Sequence, residues 1–243
     1  MTRAYREAVR YPRADEQRPS VRGDRITVAQ RSGFTLVELL VVIVIIAVLA
    51  ALIVPAVFQA RLTAKNAVIK AEIDMLHMAI MKYKLEYGSF PPCASGTGPN
   101  DPAAIHIRRL FPRTAASYAP TAATTPANSL VGWLGGYTKN PTDPLDLSGA
   151  GDPRVKIFEF DQNRVSNTAP TIGQFHPREK PGSPYIYIDN TNYGTSVTIG
   201  ANTYTANATD NPNTFQILCA GLDEEWNTED DLSNFWKGTR EDQ

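Results

Sequence analysis

The chain has 243 residues, 42% of them hydrophobic, with 24 basic and 25 acidic side chains and a net charge of −1. That balance gives neither the overall basic surface that nucleic-acid binding calls for nor an overall acidic excess, so partners have to be read from local features. The length allows one anchored domain with a modest globular head, and two cysteines, Cys93 and Cys219, allow either a single disulfide in an exported head or two buried free thiols.

Residues 1–33 hold eight arginines, scattered acids and no apolar periodicity, and read as a removable, disordered basic leader. From Leu39 to Phe58 no residue is charged. At about 1.5 Å per residue such a run covers roughly the 30 Å of a bilayer core, so residues 34–58 are expected to form the transmembrane half of a helix. The arginines before it predict a cytoplasmic N-terminus and an exported C-terminal bulk. A conventional secretory signal would have a shorter apolar core and a clear cleavage site, which Pro55-Ala56 and Gln59-Ala60 imitate poorly. Glu38 is the anomaly, because a carboxylate in lipid costs on the order of 2.5 kcal/mol or more and persists with a partner or a function. The plainer reading places it among the lipid headgroups at little cost.

Arg31-Ser32-Gly33 followed by Phe34-Thr35-Leu36-Val37-Glu38 resembles the processing signal of type IV pilins and type II secretion pseudopilins. The resemblance implies cleavage by a prepilin peptidase between Gly33 and Phe34 and N-methylation of Phe34. It also implies that Glu38 neutralises the new N-terminus of a neighbouring copy during filament assembly.

Residues 59–88 continue the helix with a different character. Leu62, Ile69, Ile73, Leu76, Ile80, Tyr83 and Tyr87 recur at helical spacing, while Arg61, Lys65, Lys70, Glu72, Asp74, Lys82, Lys84 and Glu86 take the other positions. Pro55 is expected to bend the helix without ending it, and Gly88 with Pro91 and Pro92 to stop it. The stretch from Tyr83 to Pro91 is similar to the helix end of G-type pseudopilins.

Residues 89–154 are loop-rich, with a short apolar island around Ile105, Ile107 and Leu110-Phe111. His106 beside Arg108 and Arg109 is either an anion site or a set of solvated and partly packed side chains. Residues 155–243 are expected to form an antiparallel sheet with one face on the helix and one in solvent. Its candidate strands are Val155–Phe160, Pro184–Asp189 and Thr214–Cys219, and Val197–Ile199 with Thr203–Thr205 read as an added hairpin. The fold class is therefore α+β, of the type IV pilin-like kind that the resemblance implies.

The segment from Ala220 to Trp236 crowds six carboxylates after the last strand. Such crowding suits either a solvated tail or a hard cation that gathers oxygens, although no EF-hand spacing is present. The segment resembles the calcium loop of G-type pseudopilins, which implies Asp223, Asp230 and Asp231 as side-chain ligands and the Leu222 carbonyl as a backbone ligand. Trp226 and Trp236 would then be packing residues. Two glycines of that pattern are replaced by Glu224 and Asn227; asparagine tolerates a left-handed backbone and glutamate does so poorly, so the first turn is expected to be altered.

His77, His106 and His176 lack the neighbours that specify a nucleophile or zinc site, and no phosphate-binding glycine loop is present, so no catalysis is expected. The resemblance implies a secretion pseudopilus subunit anchored in the bacterial inner membrane, with the head in the periplasm. Its partners would be the peptidase, copies of itself, minor pseudopilins and the inner-membrane assembly platform. The alternatives are a type IV pilus subunit for adhesion, motility or DNA uptake, and a membrane-anchored domain that never polymerises.

Overall fold

The computed structural model describes residues 33–120, 123–142, 144–145, 155–166, 172–199 and 202–240. The leader, residues 1–32, lies outside the described residues, as do Gly200 and Ala201 at the tip of the expected hairpin. The chain divides into two units, Met1–Ala51 and Leu52–Gln243, and helix α1 (Leu36–Tyr87) contributes to both.

In the first unit α1 is long and apolar enough to cross a membrane, and every residue from Phe34 through its end at Ala51 is exposed. The helix continues in the second unit from Leu52 and runs on through Pro55. It ends where Gly88 takes a φ of 80°, a conformation open to glycine without a Cβ penalty, and donates its N–H to the Lys84 carbonyl at 2.7 Å.

In the second unit the apolar stripe of α1 faces the head as its spacing predicts. Ile69, Ile73, Leu76, Ile80 and Tyr83 are almost completely buried, and the aliphatic ones among them contribute on the order of 2 kcal/mol each. Two short helices, α2 (Pro102–Leu110) and α3 (Ser129–Leu134), occupy the loop-rich segment. Two minimal strands, β1 (Val165–Ser166) and β2 (Gln174–Phe175), pair antiparallel. The central sheet consists of β3 (Ile186–Asp189), β6 (Phe215–Cys219) and β7 (Leu232–Ser233), antiparallel in the order β3-β6-β7. Between β3 and β6 the expected hairpin is present as β4 (Ser196–Ile199) and β5 (Asn202–Thr205).

Two expectations need correction. Val155–Phe160 is not a strand: Val155 makes a single bridge to Tyr137, and the N–H groups of Ile157 and Phe158 both bond the Leu134 carbonyl at 3.1 and 3.0 Å. Carbonyls at the end of a helix lack partners, and the C-terminus of α3 takes these donors before a sheet neighbour can. The third strand is instead β7, inside the acidic segment. The central sheet also has no solvent face, since every residue of β3 and β6 is buried. Tyr185, Tyr187 and Phe215 point toward α1, where Phe215 lies 4.9 Å from the His77 ring and 5.1 Å from that of Phe90. On the other face the buried Gln216 amide donates to the Asn207 and Asp210 carbonyls, both at 2.7 Å, so the chain that follows the hairpin covers the sheet.

Glu72 departs from its expected place on the solvent side of α1. It is buried and receives both terminal nitrogens of Arg164, at 2.7 and 2.6 Å, together with the Tyr185 hydroxyl at 2.6 Å. Arg164 also donates to the His176 carbonyl and lies 4.5 Å from the centre of the Phe175 ring. One carboxylate thus ties α1 to the β1–β2 pair and to the chain entering β3, and burial makes it costly to leave any partner alone. Cys93 and Cys219 are both buried and free, and burial pushes the Cys219 thiol up to about 12.

Glu72→Ala would leave the Arg164 guanidinium buried without its counter-charge. Denaturant unfolding of this variant is expected to show a loss of about 3 kcal/mol or more; a loss under about 1 kcal/mol would rule out the staple.

Candidate functional site

Two regions carry the functional residues expected from sequence. The first is the start of α1. Gly33 and Phe34 are exposed, and Thr35 and Glu38 close on each other: the Thr35 N–H and hydroxyl donate to Glu38 Oε2 at 2.9 and 2.8 Å, while the Glu38 N–H donates to Thr35 Oγ1 at 3.2 Å. This reciprocal arrangement is a capping box, and it satisfies donors that the first helical turn cannot satisfy itself. The signal stood in the sequence as Thr-x-x-Glu and gives Glu38 a local structural role that the membrane-cost reading missed. The same capping holds the carboxylate beside the chain at Thr35, one residue from Phe34.

The second region is the acidic loop between β6 and β7. Asp230 faces inward and organises it: Oδ2 accepts the N–H groups of Leu222 and Asp223 at 2.6 and 3.2 Å, and Oδ1 accepts the Thr228 hydroxyl at 2.8 Å. Gly221, with φ of 62°, lets Asp230 pack directly over it. Asp231 is completely buried; Oδ2 accepts the Asn227 N–H at 2.9 Å and lies 3.7 Å from the Arg240 guanidinium. Its other oxygen, Oδ1, is buried without a hydrogen-bond partner, and burial raises the carboxyl to about 7. Asp223 is more exposed and accepts the Glu225 N–H at 2.8 Å.

The sequence brings these acids into one loop, but they do not share one role. Asp230 is committed to the loop's own backbone, and among the described residues no three acidic, histidine or cysteine side chains form a ready metal cluster. An orphaned carboxylate oxygen inside a loop of further oxygens does fit a hard cation, and Asp231, Asp223 and backbone carbonyls such as that of Leu222 are the groups able to hold one.

Glu224 and Asn227, the two departures from the glycine pattern, adopt φ values of 65° and 70°. Glutamate thus holds a left-handed backbone that it tolerates poorly by itself. Side-chain contacts offset the strain. The Glu224 carboxylate accepts the Gly182 N–H at 3.0 Å, its carbonyl accepts the Ser183 hydroxyl at 3.1 Å, and the Asn227 amide donates to the Thr203 carbonyl of β5 at 3.0 Å. Trp226 is buried as expected and packs on Tyr204. Lys70 of α1 donates to the Ser233 and Trp236 carbonyls at 2.6 and 2.9 Å, a link with no sequence signal beyond an ordinary lysine.

The histidines are structural. His77 pairs with the Asn234 amide, and His176 lies 3.3 Å from the Ser166 hydroxyl. His106 is a core residue: its Nε2 is 2.7 Å from the Tyr83 hydroxyl, which also bonds Tyr137, and burial lowers its pKa to about 4. It is therefore not a free anion ligand beside Arg108 and Arg109.

Residues 29–54 match the family model described as the prokaryotic N-terminal methylation motif. The chain is similar to the type II secretion system core protein G of Pseudomonas aeruginosa, 43% identical over 67 residues, which cover 28% of this chain and 47% of that protein. It is similar to the Aeromonas hydrophila protein of the same name, 29% identical over 156 residues, which cover 62% of this chain and 96% of that protein. The chain thus spans about half the length of the first relative and nearly all of the second. No solved structure matches it. A methylation-type start on a long apolar helix, followed by small antiparallel sheets, is the arrangement of the pilin-like α+β fold.

The buried, neutral His106 predicts a pH dependence. Its folded pKa lies below the ordinary 6.5, so its contribution is full above pH 6.5 and is lost as pH falls toward 4, a change of about 3 kcal/mol. Unfolding free energies measured across that range should fall for the wild type and flatten for His106→Asn; equal slopes would refute the assignment.

Proposed function

We propose that the chain is a structural subunit of a type II secretion pseudopilus, with no catalytic role. The carrying observation is the Gly33-Phe34 junction and the capped Glu38 at the head of an apolar helix whose residues from Phe34 to Phe58 are all exposed. Such a surface is stable only in lipid or against other helices. In this reading a prepilin peptidase cuts after Gly33 and methylates Phe34, and the subunit waits in the inner membrane with its head in the periplasm. Assembly on the inner-membrane platform then exchanges lipid for the helices of further copies and of minor pseudopilins. Glu38, already held beside the start of the helix, receives the ammonium group of a neighbouring Phe34 and so loses the cost of an unpaired carboxylate.

The acidic loop supports a structural calcium in the same reading, held by Asp223, Asp231 and the Leu222 carbonyl, with Asp230 shaping the backbone around it. The orphaned oxygen of Asp231 supports this most directly. When bound, the ion would neutralise the crowded carboxylates and hold β7 against β6.

Intact-mass analysis of the protein extracted from membranes is expected to give a chain starting at Phe34 and heavier by one methyl group. An uncleaved leader on the assembled material would overturn the reading. For the metal, calcium should raise the melting temperature of the wild type and leave Asp231→Asn nearly unmoved; a wild type indifferent to calcium and chelator would remove the ion from the account.

A further inference from the structure

A cleft of about 650 Å³ opens to solvent where α1 ends. One wall is a face of α2, on which Pro102, Ile105 and Arg109 follow one another at helical spacing. The other wall is Lys84, in the last turn of α1, with Ser89 and Phe90 just past the Gly88 stop. Lys84 Nζ lies 4.2 Å from the centre of the Phe90 ring. Asn190 and Thr191, which follow β3, complete the lining.

Three features of this cleft have no role in the fold. Lys84 and Arg109 are exposed on its two walls, and among the described residues neither forms an ion pair. Outside residues 34–87 the large exposed apolar side chains of the described residues are Ile105 and Val155, and Ile105, 45% exposed, stands in the cleft. Ser89 Oγ is buried without a hydrogen-bond partner. The one acid of the lining, Asp189, is buried and already accepts the Cys93 N–H at 3.2 Å, the Asn192 amide at 2.6 Å and the Thr191 hydroxyl. Its carboxylate is committed to the chain's own donors, and the two cations stay available.

We propose that this cleft is a docking site for an extended acidic segment of a partner protein, one that carries an apolar residue flanked by carboxylates. Charge complementarity selects the acids, since one carboxylate can reach Lys84 and another Arg109 from opposite walls. The apolar residue between them is matched by Ile105 and the Phe90 ring, and the Ser89 hydroxyl is placed to meet a peptide group. A cleft open to solvent suits a stretch of a larger chain, because a small ligand is held by burying most of its surface. A lipid phosphate is out of reach: about 40 Å of helix, at 1.5 Å per residue, separates Phe58 from Lys84. The acidic loop of another copy offers no such segment, because its apolar Trp226 and Leu232 are buried in its own head. The proposal stands on the cleft alone and goes beyond the subunit role.

The test uses the full chain in detergent and short fluorescein-labelled peptides with glycine and serine flanks. The peptide centred on Asp-Leu-Asp should give saturable anisotropy, weaken as salt rises, and bind at least tenfold more tightly than the same peptide centred on Lys-Leu-Lys. Replacing its leucine by serine should weaken it severalfold. Lys84→Glu with Arg109→Glu, and separately Ile105→Ser, change only exposed side chains and should melt with the wild type. The charge-reversed pair should lose at least tenfold in affinity for the Asp-Leu-Asp peptide, Ile105→Ser severalfold, and Lys84→Arg almost nothing. No saturable binding of the Asp-Leu-Asp peptide, equal binding of the lysine version, or wild-type affinity in the charge-reversed pair would overturn the site. Cells that produce the charge-reversed pair should also form filaments at the wild-type yield. If they lose filaments that the wild type forms, the cleft is a contact between copies and the partner segment is refuted. Absence of filaments from the wild type itself would overturn the pseudopilus reading and leave the peptide result to decide the cleft.

Discussion

An apolar helix surface exposed from Phe34 to Phe58 has to be covered, and most of what is seen in this chain answers to that requirement. The capping box at Thr35 and Glu38 starts the helix cleanly, so that the run enters apolar surroundings with its first donors satisfied. Further along, the same helix turns one stripe into the head and leaves another outside. Its apolar run and its core-facing stripe are thus separated by position along the helix, the first ending before the second begins.

The head holds the helix through a few polar anchors set in an aromatic core. Glu72, Arg164 and Tyr185 join α1 to the sheet side, and Lys70 reaches the carbonyls after β7. Buried charge pairs of this kind add little over an apolar packing of the same shape, yet they are costly to break. They fix which turn of α1 meets which strand. Sliding the helix by one turn would preserve much of the apolar contact and destroy these contacts altogether.

The long helix, its two halves, its stop at Gly88 and the strands β3 and β6 were legible because each has a strong local pattern: charge exclusion, spacing of three and four, a glycine stop and β-branched runs. Val155–Phe160 has an equally strong alternation and is still not a strand, because the unpaired carbonyl of Leu134 lies within reach. β7 had no readable signal, since two residues among acids are fixed only by their partners Leu218 and Cys219. At the candidate sites, motif spacing located Gly33, Phe34, Glu38 and the acidic loop. What spacing could not assign was the burial of Glu72 and His106 or the internal work of Asp230, all of which depend on residues distant in the chain. Glu224 and Asn227 show the same limit from the other side: a local preference against positive φ is offset by contacts to Gly182 and Thr203 that no local window contains.

The two cysteines carry one more consequence. Both are buried and unpaired, and desolvation keeps their thiols protonated, so neither offers the thiolate that exchange chemistry requires. The shape of the folded head is then insensitive to the redox state of its surroundings. The contacts that join β6 to the chain after α1 therefore hold without a covalent link, and reducing or oxidising surroundings leave the folded head with the same set of them.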